Sequence, residues 1–200
     1  MDFLHKVKAN PVNRNAYKMQ VTELIADAGR ITDNWDRLMR RLAQVAGTDP
    51  EAAAFLKAQT QKIHRLYKAV QVPVERISRQ TCPFCREICC VRASIGFDVK
   101  DLLYLYFGGG RMPGQQIYKS ARQNQPSACC HLTRNGCRLS RLERPFVCTW
   151  YLCPDQKAWA KSQGDDLETV ETLFSRIKVI RAQMADALWT SMAQYHKSRA

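Results

Sequence analysis

Apolar residues recur at helical spacing along both ends of this chain, and the middle breaks the pattern. A step of three or four residues marks one face of a helix, because 3.6 residues complete a turn. Tyr17, Val21, Leu24, Ile25 and Ala28 predict a helix over 14–28 that stops at Gly29, after a polar arm of about a dozen residues. Trp35, Leu38, Met39, Leu42 and Val45 make the next stripe, with Thr32 or Asp33 as its cap and Gly47 as its end.

Asp49-Pro50-Glu51 then reads as a compact helix start. A capping carboxylate, a proline whose missing N–H is not needed in the first turn, and an acid that suits the dipole all coincide there. Phe55 or Leu56, Ile63, Leu66, Tyr67 and Val70 form the buried side, and Pro73 is expected to bar continuation beyond about Ala69. Such stripes are core positions before they are cofactor pockets. His5 and His64 have no ligand-type residue four positions on and read as ordinary histidines.

Further along, Asp98 caps a short helix that the glycines at 108–110 close, with Asp101 completing an imperfect capping box. The triple glycine ends a helix and has no Lys-Ser or Lys-Thr after it, so a phosphate cradle is set aside. Pro113 predicts another helix carrying Ile117, Tyr118 and Ala121. From Asp165 a long helix runs over 165–197, and Val170, Leu173, Ile177, Ile180, Met184, Ala187 and Ser191 form a seam stepping by three and four. That seam fits a bundle with the amino-terminal helices or a homodimer through the C-terminal helix.

The expected fold is therefore mainly α: a helical bundle from both chain ends around a central irregular module, with any strands short. The organisation is a single integrated domain over 1–200. It has a helical part over 1–78, the irregular module over 82–153, and the long helix over 165–197. No run of eighteen apolar residues and no signal-peptide core occurs, so no membrane partner and a cytoplasmic location are expected.

Charge changes this picture little. The formal charge is +13, carried by the first two segments: residues 1–81 have fourteen Lys and Arg against eight acids, and residues 82–153 ten against four. A basic excess attracts any polyanion, so zinc-dependent nucleic-acid binding is a reading but not the favoured one. Basic residues beside a thiolate cluster also offset its negative field.

The chemistry lies in the cysteines. All nine fall between Cys82 and Cys153, with none in the eighty-one residues before or the forty-seven after. In a reducing compartment such a cluster binds metal or works in redox chemistry more often than it forms disulfides, and an odd count opposes complete pairing. The Cys82-Pro83-Phe84-Cys85 turn can present two thiolates to one ion. Cys89 and Cys90 complete a first half. Cys148 and Cys153, with Cys137 and the Cys129-Cys130 pair, supply a second, and His131 is the one histidine close enough to mix in.

The order CxxCxxxCC, a cysteine before a leucine (Cys129, Leu132), Gly136-Cys137 before Leu139, and Arg144-Pro145 leading to Cys148 and Tyr151 resembles the CxxCxxCC, or YkgJ-like, cysteine-cluster family. That family is described as a zinc- or iron-chelating domain, and a related cluster in flagellin lysine-N-methylases is linked to an iron–sulfur centre. The resemblance covers about 82–153. It implies Cys82, Cys85, Cys89, Cys90, Cys129, Cys137 and Cys148 as the chelating set. One extra residue after Cys85 departs from the pattern, and Cys130 and Cys153 look like additions.

The metal-ligand candidates are thus Cys82, Cys85, Cys89 and Cys148, then Cys129 and Cys137, then Cys90, with Cys130 and Cys153 last. Zinc or an iron–sulfur cluster is the expected cofactor, held without catalysis. Three readings stand beside it: a purely thiol-based role, with Cys82 and Cys85 as a redox pair; an iron–sulfur enzyme or accessory factor of the methylase type; and a helical surface for a protein partner. No methyl-donor loop and no nucleophile with a base supports the enzyme.

Overall fold

The computed structural model describes residues 31–85, 89–92, 96–113, 129, 131–133 and 136–197. The expected helices over 14–28 and after Pro113 lie outside these residues, as do His5, Cys130 and the side chain of Trp35. The described fold is mainly helical. Helix α1 spans Ile31–Thr48, α2 Pro50–Thr81, α3 Cys89–Arg92 and α4 Val99–Gly108. Strands β1 (Leu132–Thr133) and β2 (Gly136–Cys137) form an antiparallel pair in which Leu132 faces Cys137. Helix α5 is Val147–Trp150, α6 Pro154–Ser162 and α7 Leu167–Lys197.

The start of α2 follows its sequence signal. Asp49 Oδ1 accepts from the Ala52 N–H at 2.9 Å, and Pro50 is the first helical residue. Its end does not, since α2 continues through Pro73 to Thr81. Proline in a helix interior removes the bond to the Ala69 carbonyl and costs about 3 kcal/mol. Beyond it, however, Val74 and Ile77 extend the stripe of Ile63, Tyr67 and Val70 and are buried. Two such side chains contribute about 1.5–3 kcal/mol each, which outweighs the proline. Helix α1 is described from Ile31 onward, and the side chains of Thr32 and Asp33, its expected caps, lie outside the described residues. Leu42 and Val45 are buried, and Leu38 and Met39 pack partly against the core.

Helix α2 is the hub. It packs on α1, α4, α6 and α7. The α7 seam is covered within the chain: Val170, Ile177, Met184, Ala187, Leu188, Ser191 and Met192 are buried, and α7 packs on α2, α4, α1 and α6. A homodimer through this seam would have to compete for the same side chains. The helix starts two residues after Asp165, where Asp166 accepts from the Thr169 N–H at 2.9 Å. Among the described residues no helix is long and apolar enough to cross a membrane.

Both arms of the α4 capping box form. The Asp101 N–H donates to Asp98 at 2.8 Å and the Asp98 N–H to Asp101 at 3.0 Å. The helix ends with Gly109 at φ 67, a left-handed conformation that glycine adopts without steric cost. At Gly108 a Cβ would stand 2.7 Å from Thr60 Cγ2, so glycine also lets α4 approach α2 closely.

A buried ion network locks α4, α7 and the segment that enters the cysteine module. Arg181 Nη1 donates to Asp101 at 2.6 Å and Nη2 to both oxygens of Asp98 at 2.8 and 3.0 Å. Asp101 also accepts the Phe146 N–H at 2.9 Å, and the Arg181 guanidinium lies 4.5 Å above the Phe146 ring. Burial pushes the Asp101 carboxyl up to about 6 in spite of Arg181. Burial works against the Arg181 charge as well, but Asp101 and Asp98 outweigh it and raise its pKa. His64 finds an ordinary partner, with Nδ1 3.3 Å from the Tyr104 hydroxyl.

Candidate metal centre

The cysteine module is assembled where the end of α2 meets α6. Cys82 is the C-cap of α2, its N–H bonding the Ser78 carbonyl, and it opens a 3-10 turn over Cys82–Phe84. The Cys85 N–H closes that turn on the Cys82 carbonyl at 3.2 Å. This is the short turn the Cys-x-x-Cys spacing predicts, with one thiol exposed and one half-buried.

Cys153 sits across from it as the N-cap of α6, ahead of Pro154. Its sulfur accepts the Gln156 N–H, and its own N–H donates to Gln156 Oε1 at 3.0 Å. The same side chain turns its Nε2 to donate to Cys82 Sγ at 3.4 Å. Gln156 is buried and therefore pins the two cysteines from both ends of one amide. Sequence reasoning passed over it, although Cys153-x-x-Gln156 is a capping box with cysteine in place of serine or threonine.

Cys90 and Cys129 are joined by backbone. The Cys129 N–H donates to the Cys90 carbonyl at 2.7 Å, and the Leu132 N–H to the Cys129 carbonyl at 2.8 Å, which leads directly into the β1–β2 pair and Cys137. Arg144 Nε then donates to the Leu139 carbonyl at 3.0 Å, tying the residues after Cys137 to those before Cys148. The Cys148 N–H bonds the Pro145 carbonyl at 2.9 Å, so the proline does set the turn before that thiol.

The thiols act on one another. Partial burial raises the Cys82 thiol, the Thr81 hydroxyl opposes it, and the charges of Cys89, Cys153 and Cys85 add to the rise. Burial pushes Cys148 up to about 12, with Cys129 and Cys137 adding to it, Arg144 opposing, and Cys89 contributing last. The proximity of the Cys90 thiol brings Cys89 down to about 6, and the same neighbour, with burial, sends Cys90 upward.

Three buried polar atoms here have no hydrogen-bond partner among the described residues: His131 Nε2, Arg141 Nε and Thr149 Oγ1. Arg141 faces Glu75, Nε to Oε1 at 4.0 Å, and its Nη2 donates to the Ser78 hydroxyl at 3.4 Å; burial, and then Arg144, brings it down to about 10, while Glu75 and then Cys82 and Cys148 favour its charge. A buried guanidinium within electrostatic reach of two thiols and one carboxylate can offset part of a thiolate charge. His131 differs. Its Nδ1 accepts from Arg138 Nε at 3.2 Å, so the ring proton sits on Nε2, and the ring ligates metal only if Arg138 lets go.

The eight described cysteines are all free thiols. Their chemistry fits a thiophilic metal, whereas among the described residues no three His, Cys, Asp or Glu side chains already converge as a metal shell. No family model, curated protein or solved structure matches the chain.

Proposed function

We propose that this chain is a metal-binding protein that chelates zinc or an iron–sulfur cluster through its cysteine module and holds it without catalysis. One observation carries the reading: eight free thiols are brought in from the end of α2, α3, the β1–β2 pair and the residues before it, α5 and the cap of α6, and neighbouring thiols help to shift the ionisation of Cys82, Cys89, Cys90 and Cys148. Thiols crowded in this way repel once ionised, and a cation that binds thiolate removes the repulsion. Arg141, buried beside Cys82 and Cys148, and Arg144, beside Cys148, would balance the net negative charge that four thiolates leave on a divalent ion.

The cysteine spacing that resembles the CxxCxxCC family supports the same assignment. A shell closed by four thiolates leaves no open coordination position, which suits a holding role. Because the thiols are gathered without yet converging, metal binding is expected to complete the local fold.

The test is elemental analysis of protein purified without oxygen, with the visible spectrum of the same sample. Iron with acid-labile sulfide and a broad visible band identifies the cluster. Colourless protein with stoichiometric zinc identifies zinc. Metal-free protein that takes up neither on reconstitution, with every thiol open to alkylation, overturns the reading.

A further inference from the structure

Between Glu51 and Glu75, helix α2 has no acidic residue, yet it carries Lys57, Lys62, Arg65 and Lys68, all of them exposed. At about 100° per residue the four fall within an arc of about 140°, opposite the buried Leu56, Ile63, Tyr67 and Val70. None of the four enters a salt bridge among the described residues, whereas further along the same helix Arg76 pairs with Asp165 and Arg79 with Glu75. The other long helix, α7, mixes its exposed charges: Glu168 and Glu171 stand with Arg176 and Lys178.

Lys62 and Arg65, and again Arg65 and Lys68, are three positions apart, the spacing at which like charges repel across one helical turn. Such a face opposes its own helix until a polyanion covers it. The face also has a shape. Lys57 and Lys68 lie on one flank of the arc, Lys62 lies on the other, and exposed Ala54, Ala58 and Arg65 form the crest between them.

That arrangement selects among polyanions. No aromatic residue lies on the arc to stack unpaired bases, and Val72 is its one bulky apolar side chain, too little to enter a bilayer. A helix with its side chains is about 10–12 Å wide, which matches the major groove of B-form DNA at about 12 Å. Its two flanks then face the phosphates on the two groove edges. The major groove of double-stranded RNA is too narrow to admit it.

We infer that the outward face of α2 binds the phosphate backbone of double-stranded DNA without regard to sequence. The crest is mostly alanine, so it carries no set of side chains for reading bases. Lys68 stands fourteen positions before Cys82, about 21 Å along the helix, so the face is separate from the cysteine module and the inference does not rest on metal binding.

The experiment is fluorescence anisotropy of the full chain with a labelled DNA duplex at a series of salt concentrations. Four phosphate contacts predict a slope of about −3.6 in log K against log salt, which is about a 150-fold loss of affinity from about 50 to about 200 mM. Lys62→Gln/Arg65→Gln/Lys68→Gln should reduce that loss to about 3- to 4-fold, and removing the like charges should leave its Tm equal to or above that of the wild type. Lys157→Gln/Lys161→Gln/Arg176→Gln removes the same net charge elsewhere and should keep the full salt dependence.

Equal slopes for the wild type and the α2 variant, or an equal reduction in both variants, would overturn the inference. So would tighter binding to double-stranded RNA, to single-stranded DNA or to phosphatidylserine vesicles than to the duplex. Metal-free protein that keeps its helical circular dichroism should bind the duplex as before; loss of binding there would make recognition zinc-dependent and take it away from α2. No binding to the duplex at low salt overturns the inference and leaves the metal-binding reading intact.

Discussion

Arg181→Met isolates what the buried ion network contributes. The substitution keeps most of the side-chain length and removes three hydrogen bonds to Asp98 and Asp101 together with the guanidinium over Phe146. Asp101 is 5 % exposed and is left facing Asp98 without a cation. Removing one partner of a buried pair costs about 3–5 kcal/mol, because the other charge stays behind uncompensated.

The pH dependence separates charge from packing. With Arg181 present the Asp101 carboxyl stands at about 6, above its ordinary 3.8. Loss of a contacting cation raises a carboxyl by about 1–3 pH units, which takes it to about 7.5. A carboxyl raised in the folded state favours proton uptake by folded protein, so stability falls as pH rises towards the folded value. Between pH 7.5 and pH 5 the variant should regain about 3 kcal/mol and the wild type about 1, so the gap narrows by about 2 kcal/mol.

Urea unfolding followed by circular dichroism at the two pH values measures both quantities. Adding Asp101→Asn to Arg181→Met should recover at least about 1 kcal/mol at pH 7.5, since the amide oxygen can still accept the Phe146 N–H. A loss below about 1 kcal/mol, or one that does not change with pH, would refute the reasoning.

Three smaller expectations concern the helix cap, the thiols and the metal. Asp49→Ala removes the cap on the Ala52 N–H and should lower stability by about 1 kcal/mol in urea without altering metal content. In metal-free protein at pH 7, a short alkylation pulse read by peptide mass spectrometry should label Cys89 first, as its thiol is brought down to about 6. Cys148, held at about 12, should lag. Chelator-stripped protein should melt at a lower temperature than the reconstituted form, and a Tm unaffected by zinc would separate metal binding from folding.

The scaffold was largely legible because helix signals are local. Asp49-Pro50-Glu51, the Asp98 cap and the Gly109 stop each sit where the chain alone places them. Pro73 misled because its cost is local while the burial of Val74 and Ile77 is supplied by distant helices. Helix α6 passed unnoticed, being only nine residues with a weak stripe.

Within the module, sequence order grouped Cys82, Cys85, Cys89 and Cys90 as one half. Hydrogen bonds join that half to the second at two places, Cys90 to Cys129 through the backbone and Cys82 to Cys153 through Gln156. No spacing rule could supply that, since Gln156 acts between residues 74 positions apart.

Helix α2, the hub of the bundle, rests chiefly on α7, the last described element. A contact between segments so far apart in the chain is slow to form, because the intervening loop must close before any burial rewards it. A ribosome would therefore release every thiol before the helix on which most of α2 rests. During that interval oxidant and metal compete for the same unguarded sulfurs. Timed alkylation during reductive refolding should accordingly find Cys82 and Cys153 becoming protected together, in step with the docking of α7, and earlier protection of either would contradict this order.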